Sequence, residues 1–222
     1  MKNIVITGGS RGIGVATALG LARAGHAVTA TMRNPKASPQ LAETATAENL
    51  DVRIETMDVD SDESVGSAFA RILSKGPVDV LVNNAGVERT GSIEETPLSD
   101  FRACMETNYF GPLRCIQAVV RSMRERQSGT IVNVTSVAGT VASSPLGPYV
   151  ASKFALEGLS ETLAQELRPF GVRVAVVIPG IIDTRMARNI ENGTPSTVYP
   201  MARRLAVLFA GAISDLARRH ER

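Results

Sequence analysis

A chain of 222 residues that is 44% hydrophobic and 21% charged has the composition of an ordinary folded protein, which excludes intrinsic disorder. Its formal net charge of +2 offers no electrostatic basis for a nucleic-acid partner. Cys104 and Cys115 are the only cysteines and lack metal-ligand spacing, so reduced, buried thiols in a cytoplasmic protein without a metal site are expected.

In chain order, the pattern predicts a strand over 3–7, a helix over 12–24 closed by Gly25, a strand over 27–32 and a helix over 39–49. A strand over 52–57, a helix over 61–74 closed by Gly76 and a strand over 78–82 follow. Beyond them come a pair of helices within 97–127, a strand over 130–135, a helix over 149–168, a strand over 172–178 and a last helix over 198–217. The strands are apolar nearly throughout, as in a sheet covered on both faces. Alternation with helices implies an α/β fold, a doubly wound parallel sheet of about six strands, with right-handed crossovers. Nothing in the composition marks a linker, so a single domain over 1–222 is expected, with a substrate-binding loop and helix at 185–217.

Two helix starts have recognisable chemistry. Thr96 before Pro97 reads as an N-cap followed by proline at the first helical position, and Asp60 with Glu63 has the form of a capping box. The first strand meets glycine at residue 8, leaving no apolar region for a signal peptide, and the apolar stretch at 205–214 is too short to cross a bilayer. Arg218, Arg219, His220 and Arg222 read as the solvated end of the last helix, where the dipole favours cations, the alternative being a membrane or polyanion site.

The turn Thr7-Gly8-Gly9-Ser10-Arg11-Gly12-Ile13-Gly14 joins a strand to a helix. Glycines at 8, 12 and 14 let the backbone approach an anion, while the amides of Ser10, Arg11 and Ile13 and the positive helix end face it; a dinucleotide pyrophosphate fits such a turn. The spacing is G-x-x-x-G-x-G, which departs from G-x-G-x-x-G. At the end of the second strand, where NAD-binding folds commonly place an acid for the ribose 2′-OH, the chain has Thr31-Met32-Arg33. Arg33, with Arg11 from the turn, is suited to a 2′-phosphate, so NADP(H) is preferred over NAD(H); the alternative is that both arginines are merely exposed. Asp58-Val59 after the third strand and Asn84-Ala85-Gly86 after the fourth occupy the same crevice, as adenine and nucleoside contacts or as turn residues.

Tyr149 and Lys153 are four apart in a helical segment and share one face. A free tyrosine at pKa ~10 lies about 4 kcal/mol from ionising near neutral pH, an interval that a nearby ammonium narrows. Tyr149 is therefore the candidate general acid/base. Ser136, in Asn133-Val-Thr-Ser136 at the end of the fifth strand, is placed to donate to a substrate carbonyl oxygen.

These segments together resemble the short-chain dehydrogenase/reductase family in its compact, single-domain branch, with matching residues from Thr7 to about Thr184. The resemblance implies a Rossmann-like fold and hydride transfer between NADP(H) and a carbonyl or secondary alcohol, with Ser136 orienting the oxygen and Tyr149 supplying the proton. Lys153 would lower the tyrosine's pKa and hold the nicotinamide ribose. In Thr107-Asn108-Tyr-Phe-Gly111, Asn108 would link Lys153 to a relay water. In Pro179-Gly180-Ile181-Ile182-Asp183-Thr184, Ile182 would meet the carboxamide and Thr184 the pyrophosphate or carboxamide, with Pro179 and Gly180 in the same cofactor-binding segment.

Relatives usually continue into a seventh strand, for which no β-rich run is present here. A homodimer is expected through helices 106–127 and 149–168, and Met186, Val198, Tyr199, Met201, Leu205 and Phe209 form either an apolar substrate pocket or, as apolar residues at helical spacing more often do, part of the core. The partner is a small carbonyl or alcohol, with no membrane insertion. The rival readings are a catalytically weak NADP(H)-binding regulator or scaffold, which would not need the acid/base phenol, and an epimerase or dehydratase, which normally has a larger substrate domain.

Overall fold

The computed structural model describes residues 1–182, 184, 198–202, 204, 205, 207, 208 and 211. Six parallel strands form one sheet: β1 (Asn3–Thr7), β2 (Ala27–Met32), β3 (Val52–Thr56), β4 (Val80–Asn83), β5 (Gly129–Val134) and β6 (Val172–Val177). The helices are α1 (Gly12–Arg23), α2 (Gln40–Ala47), α3 (Asp62–Leu73), α4 (Leu98–Met105), α5 (Gly111–Glu125) and α6 (Gly147–Leu167). The sheet order is β3-β2-β1-β4-β5-β6, so the winding reverses between β1 and β4. Open α/β sheets bind ligands at such a switch point, at the carboxyl ends of the strands.

The chain divides into two compact units. The first comprises Met1–Ala85, Phe110–Val134 and Gly158–Val177 and holds the whole sheet. Its strands are rich in Val and Ile, whose branched side chains pack well on a pleated surface. Two apolar clusters cover them. Ile4, Ile6, Val28 and Met32 pack with Val15, Leu19 and Leu41 from α1 and α2. Val5, Leu81 and Ile131 pack with Phe69, Ile116, Met123 and Leu163 from α3, α5 and α6. Cys115 is buried in this second cluster. At the edge, β6 departs from the expectation of strands covered on both faces, because Arg173, Ala175 and Val177 alternate outward and are exposed.

The second unit comprises Gly86–Tyr109, Thr135–Glu157 and the chain from Ile178 onward. It contains α4, the first turns of α6, and the segments that follow β4, β5 and β6. Gly91 pairs with Leu146 in an isolated parallel bridge, and the Gly91 amide donates to Pro145 at 2.8 Å. Residues 200–202, 204, 205, 207, 208 and 211 are helical, within the predicted last helix. Met186, Phe209 and the basic tail lie outside the described residues, while Val198, Tyr199 and Met201 are exposed and Leu205 is half-buried.

Two expected caps are replaced. Ser61, and not Asp60, caps α3: its hydroxyl accepts from the Ser64 amide at 3.2 Å, while Asp58 Oδ1 holds the Asp60 amide in a turn. Pro97 itself occupies the N-cap of α4, with extended ψ of 142°, and Thr96 instead donates its hydroxyl to the Ser92 carbonyl at 2.6 Å. Ser and Thr bond local backbone in several ways, so composition identifies the turn but not the member that caps.

A polar chain crosses the apolar layer of the first unit. Asn83 Nδ2 donates to Asn133 Oδ1 at 2.9 Å, and Asn133 Nδ2 donates to Ser160 Oγ at 2.8 Å, all three residues being buried. Removing the middle member strands the buried Asn83 donor, which costs more than the bond contributes. Asn133→Leu should lose about 2–4 kcal/mol in urea denaturation; a loss within experimental error would show that the chain contributes nothing to stability.

Candidate active site

In the first unit, Thr7 ties the glycine turn to the end of β4. Its hydroxyl accepts from the Asn84 amide at 3.0 Å and the Ala85 amide at 2.9 Å. The Asn84 side chain returns by donating to the carbonyls of Thr7 at 2.9 Å and Gly8 at 3.2 Å. Gly8 has a φ of 71°, and a Cβ there would lie 2.8 Å from Ala85 Cα, while a Cβ on Gly14 would lie 2.2 Å from the Gly8 carbonyl oxygen. Both positions therefore require glycine for conformation or for space. Thr7 is a connecting residue that spacing alone does not single out.

Arg11 is the N-cap of α1 and makes no side-chain cap bond, which leaves the first-turn amides to face an anion together with Ser10, Gly12 and Ile13. Arg11 and Arg33 are exposed and make no ion pair among the described residues. The residues after β2 contain no carboxylate, so the donor set fits a phosphorylated ribose. Asp58 keeps one carboxylate oxygen on the Asp60 amide, and its own amide donates to Ser64 Oγ at 2.9 Å. Val59 packs into the core, and its carbonyl accepts from Arg114 at 3.2 Å.

The second unit brings together Asn108, Ser136, Tyr149 and Lys153. Asn108 is fully buried on a π-helical turn, Glu106–Phe110, that follows α4, a distortion common at functional sites. Its Oδ1 accepts from the Val87 amide at 2.8 Å, and its Nδ2 donates to the Val87 carbonyl at 2.8 Å and to Ser152 Oγ at 2.9 Å. Ser152 Oγ in turn donates to the Tyr149 carbonyl at 2.7 Å. Ser136 starts a short turn, Val137–Gly139, by accepting from the Ala138 amide, and it is hydrogen-bonded to the Tyr149 hydroxyl. Lys153 is only 4% exposed, and its Nζ lies 5.6 Å from the centre of the Tyr149 ring.

Among the cofactor-segment residues of this unit, Gly86 follows Ala85 and is half-buried. The Pro179 carbonyl accepts from the Val137 amide at 3.1 Å, joining that segment to the Ser136 turn. Gly180 and Ile182 are exposed and Thr184 is half-buried.

Burial controls the charges here. It pushes the Tyr149 phenol up to about 12, against the pull of the Ser136 hydrogen bond, and brings the Lys153 ammonium down to about 8. The tyrosine is thus a protonated donor at neutral pH, and the expected lowering by Lys153 is not among the causes that act on it. Burial also lifts Glu88 to about 7, against the attraction of Lys153. Cys104 is pushed to about 11 by burial and remains a thiol. Glu88, Cys104 and Ser152 were missed in the sequence. An acid two residues beyond Gly86, at a strand's carboxyl end, was the available signal for Glu88; the other two are revealed only by contacts between distant segments. No cluster of His, Cys, Asp and Glu among the described residues could hold a metal ion.

The family model for short chain dehydrogenase matches residues 2–195. The chain is 40% identical over 185 residues to the uncharacterized oxidoreductase YusZ of Bacillus subtilis, covering 82% of this chain and 66% of that protein. The chain therefore spans about two thirds of that relative's length. A solved short-chain dehydrogenase from Streptomyces avermitilis superposes with a TM-score of 0.81 at 34% identity, covering 100% of this chain and 85% of its own. A gluconate 5-dehydrogenase from Burkholderia cenocepacia, solved with NADP and tartrate, gives 0.79 at 28% identity, covering 97% of this chain and 87% of its own.

The shifted groups give two pH windows with opposite signs. Glu88 titrates above its unfolded value of 4.5, so stability present below that pH is lost as pH rises through about 7. Lys153 titrates below its unfolded value of 10.5, so stability present above that pH is lost as pH falls through about 8. Thermal melts should show the wild type losing up to about 3 kcal/mol relative to Glu88→Gln across the first window, and a similar amount relative to Lys153→Met across the second. Parallel curves for wild type and variant would contradict the burial of these charges.

Proposed function

We propose, starting from the short-chain dehydrogenase family to which this chain belongs, that it is an NADP(H)-dependent oxidoreductase interconverting a carbonyl and a secondary alcohol. The observation that carries the reading is the Tyr149 hydroxyl, protonated at neutral pH, hydrogen-bonded to Ser136 and followed by a buried lysine on the same helix. The glycine turn and the amides of Ser10, Arg11 and Ile13 hold the pyrophosphate, and Arg33 with Arg11 holds the 2′-phosphate. Asp58 and Val59 flank the adenine, while Asn84, Ala85 and Gly86 border the nucleoside. Pro179, Gly180, Ile182 and Thr184 border the nicotinamide end. When bound, NADPH supplies the hydride.

Ser136 donates a hydrogen bond to the substrate carbonyl oxygen, and Tyr149 transfers its proton to that oxygen as negative charge develops there. The phenolate left behind is stabilised by the Lys153 ammonium, which also meets the nicotinamide ribose. The Asn108 side-chain amide is spent on Val87 and Ser152, so it positions the segment before Lys153 and does not itself pass a proton to it.

Cytoplasmic location is supported by two free, buried cysteines, and no described helix is long and apolar enough to cross a membrane. Exposed Phe110 at the start of α5 and Phe154 on α6 support a homodimer through these helices.

Tyr149→Phe should lower kcat at least about 1,000-fold with NADPH affinity within about twofold, read by NADPH oxidation against ketones, aldehydes and quinones and by fluorescence titration. Substantial residual turnover would remove Tyr149 from the mechanism. Arg33→Asp should weaken NADPH binding about 10-fold or more and leave NADH binding nearly unchanged; equal effects on both would remove the 2′-phosphate assignment.

A further inference from the structure

Val59 borders the adenine in the reading above, yet the residues that hold it lie on another element. Its side chain rests on Gly111 at the start of α5, where an added Cβ would lie 3.0 Å from Val59 Cγ2 and 3.1 Å from Val59 Cβ. A methyl group fits there only if Val59 gives way by a few tenths of an ångström. Arg114 lies three residues further along the same helix face and donates from Nη1 to the Val59 carbonyl at 3.2 Å. Its Nε pairs with Asp62 at the start of α3.

The residues on either side of Val59 are fixed as well. The Asp58 amide donates to Ser64 Oγ at 2.9 Å, and the Asp60 amide donates to Asp58 Oδ1 at 3.2 Å. The Val59 amide between them donates to no described residue. A main-chain donor clamped in place and left without a protein acceptor is an arrangement that a ligand completes. The ion pair of Arg114 contributes little to the fold, because 85% of the Asp62 side chain is exposed. What Arg114 fixes is Val59.

We propose that Gly111 and Arg114 are positioning residues for the cofactor: α5 holds Val59 by its side chain and its carbonyl so that the Val59 amide meets a ring nitrogen of the adenine. The inference rests on the proposed NADP(H) site, in which Asp58 and Val59 flank that ring. Adenine N1 is an acceptor that such an amide satisfies. Hypoxanthine carries a hydrogen at N1, so an amide facing it is left unpaired. Neither Gly111 nor Arg114 belongs to the group of Asn108, Ser136, Tyr149 and Lys153, and their effect is on recognition of the base.

The test is a fluorescence titration of the full chain with NADPH and with its analogue in which hypoxanthine replaces adenine, which reads this recognition without turnover. The wild type should bind NADPH about fivefold or more tighter than the analogue. Arg114→Leu and Gly111→Ala should each weaken NADPH by about threefold or more and leave the analogue nearly unchanged, so that the preference shrinks or disappears. A role in folding alone lowers the fraction of protein that binds and leaves the ratio of the two dissociation constants where it was. Equal weakening of both dinucleotides, or unchanged affinities in both variants, overturns the inference and leaves α5 as support for the fold. A wild type that binds NADPH and the analogue equally overturns it while sparing the proposed function. Failure of the wild type to bind NADPH at all sinks both.

Discussion

The candidate site depends on the side-chain amide of Asn108. It binds both polar groups of the Val87 main chain and the hydroxyl of Ser152, linking the segment after β4, the turn after α4 and the start of α6. The amide donates both its hydrogens and accepts one bond at its oxygen, with no access to water. Ser152 then bonds the Tyr149 carbonyl, so the helix carrying the phenol and the lysine is fixed to the loop that bears Glu88. Loss of this residue would leave several buried groups unpaired at once, which makes the arrangement close to all-or-none.

Legibility in the sequence followed the range of the interactions involved. Strands built on dense β-branched runs were read to within one or two residues, as at 3–7 and 27–32, because their period and composition are local. The caps at Asp60 and Thr96 were misassigned because Asp, Ser and Thr in one turn compete for the same amides. The glycine turn was legible, but the reason Gly14 tolerates no side chain is the Gly8 carbonyl, brought there by the fold. Tyr149 and Lys153 were found through helical spacing, and Asn108 only through family resemblance. The Asn108 bond to Ser152 joins residues 44 apart and has no local signature.

Burial of the reacting groups makes their neighbours consequential. Lys153 is almost wholly enclosed, and that enclosure lowers its pKa to about 8 against the opposing pull of Cys104, Glu157 and Glu88. Cys104 is kept as an inert thiol by the same enclosure. The site therefore contrasts with Arg11 and Arg33, whose charges are exposed to solvent.

The Asn83–Asn133–Ser160 chain has an effect distinct from its stabilising energy. β4 and β5 present little besides Val, Leu and Ile to each other, and a row of similar apolar side chains carries little information about alignment. Asn83 and Asn133 are direct partners in the register, and each can find its amide counterpart only there. Sliding one strand by a single residue would turn an amide into hydrocarbon and reverse the faces of every side chain that follows. Three polar residues thus act as an alignment key, selecting one pairing of the central strands from several of nearly equal apolar content.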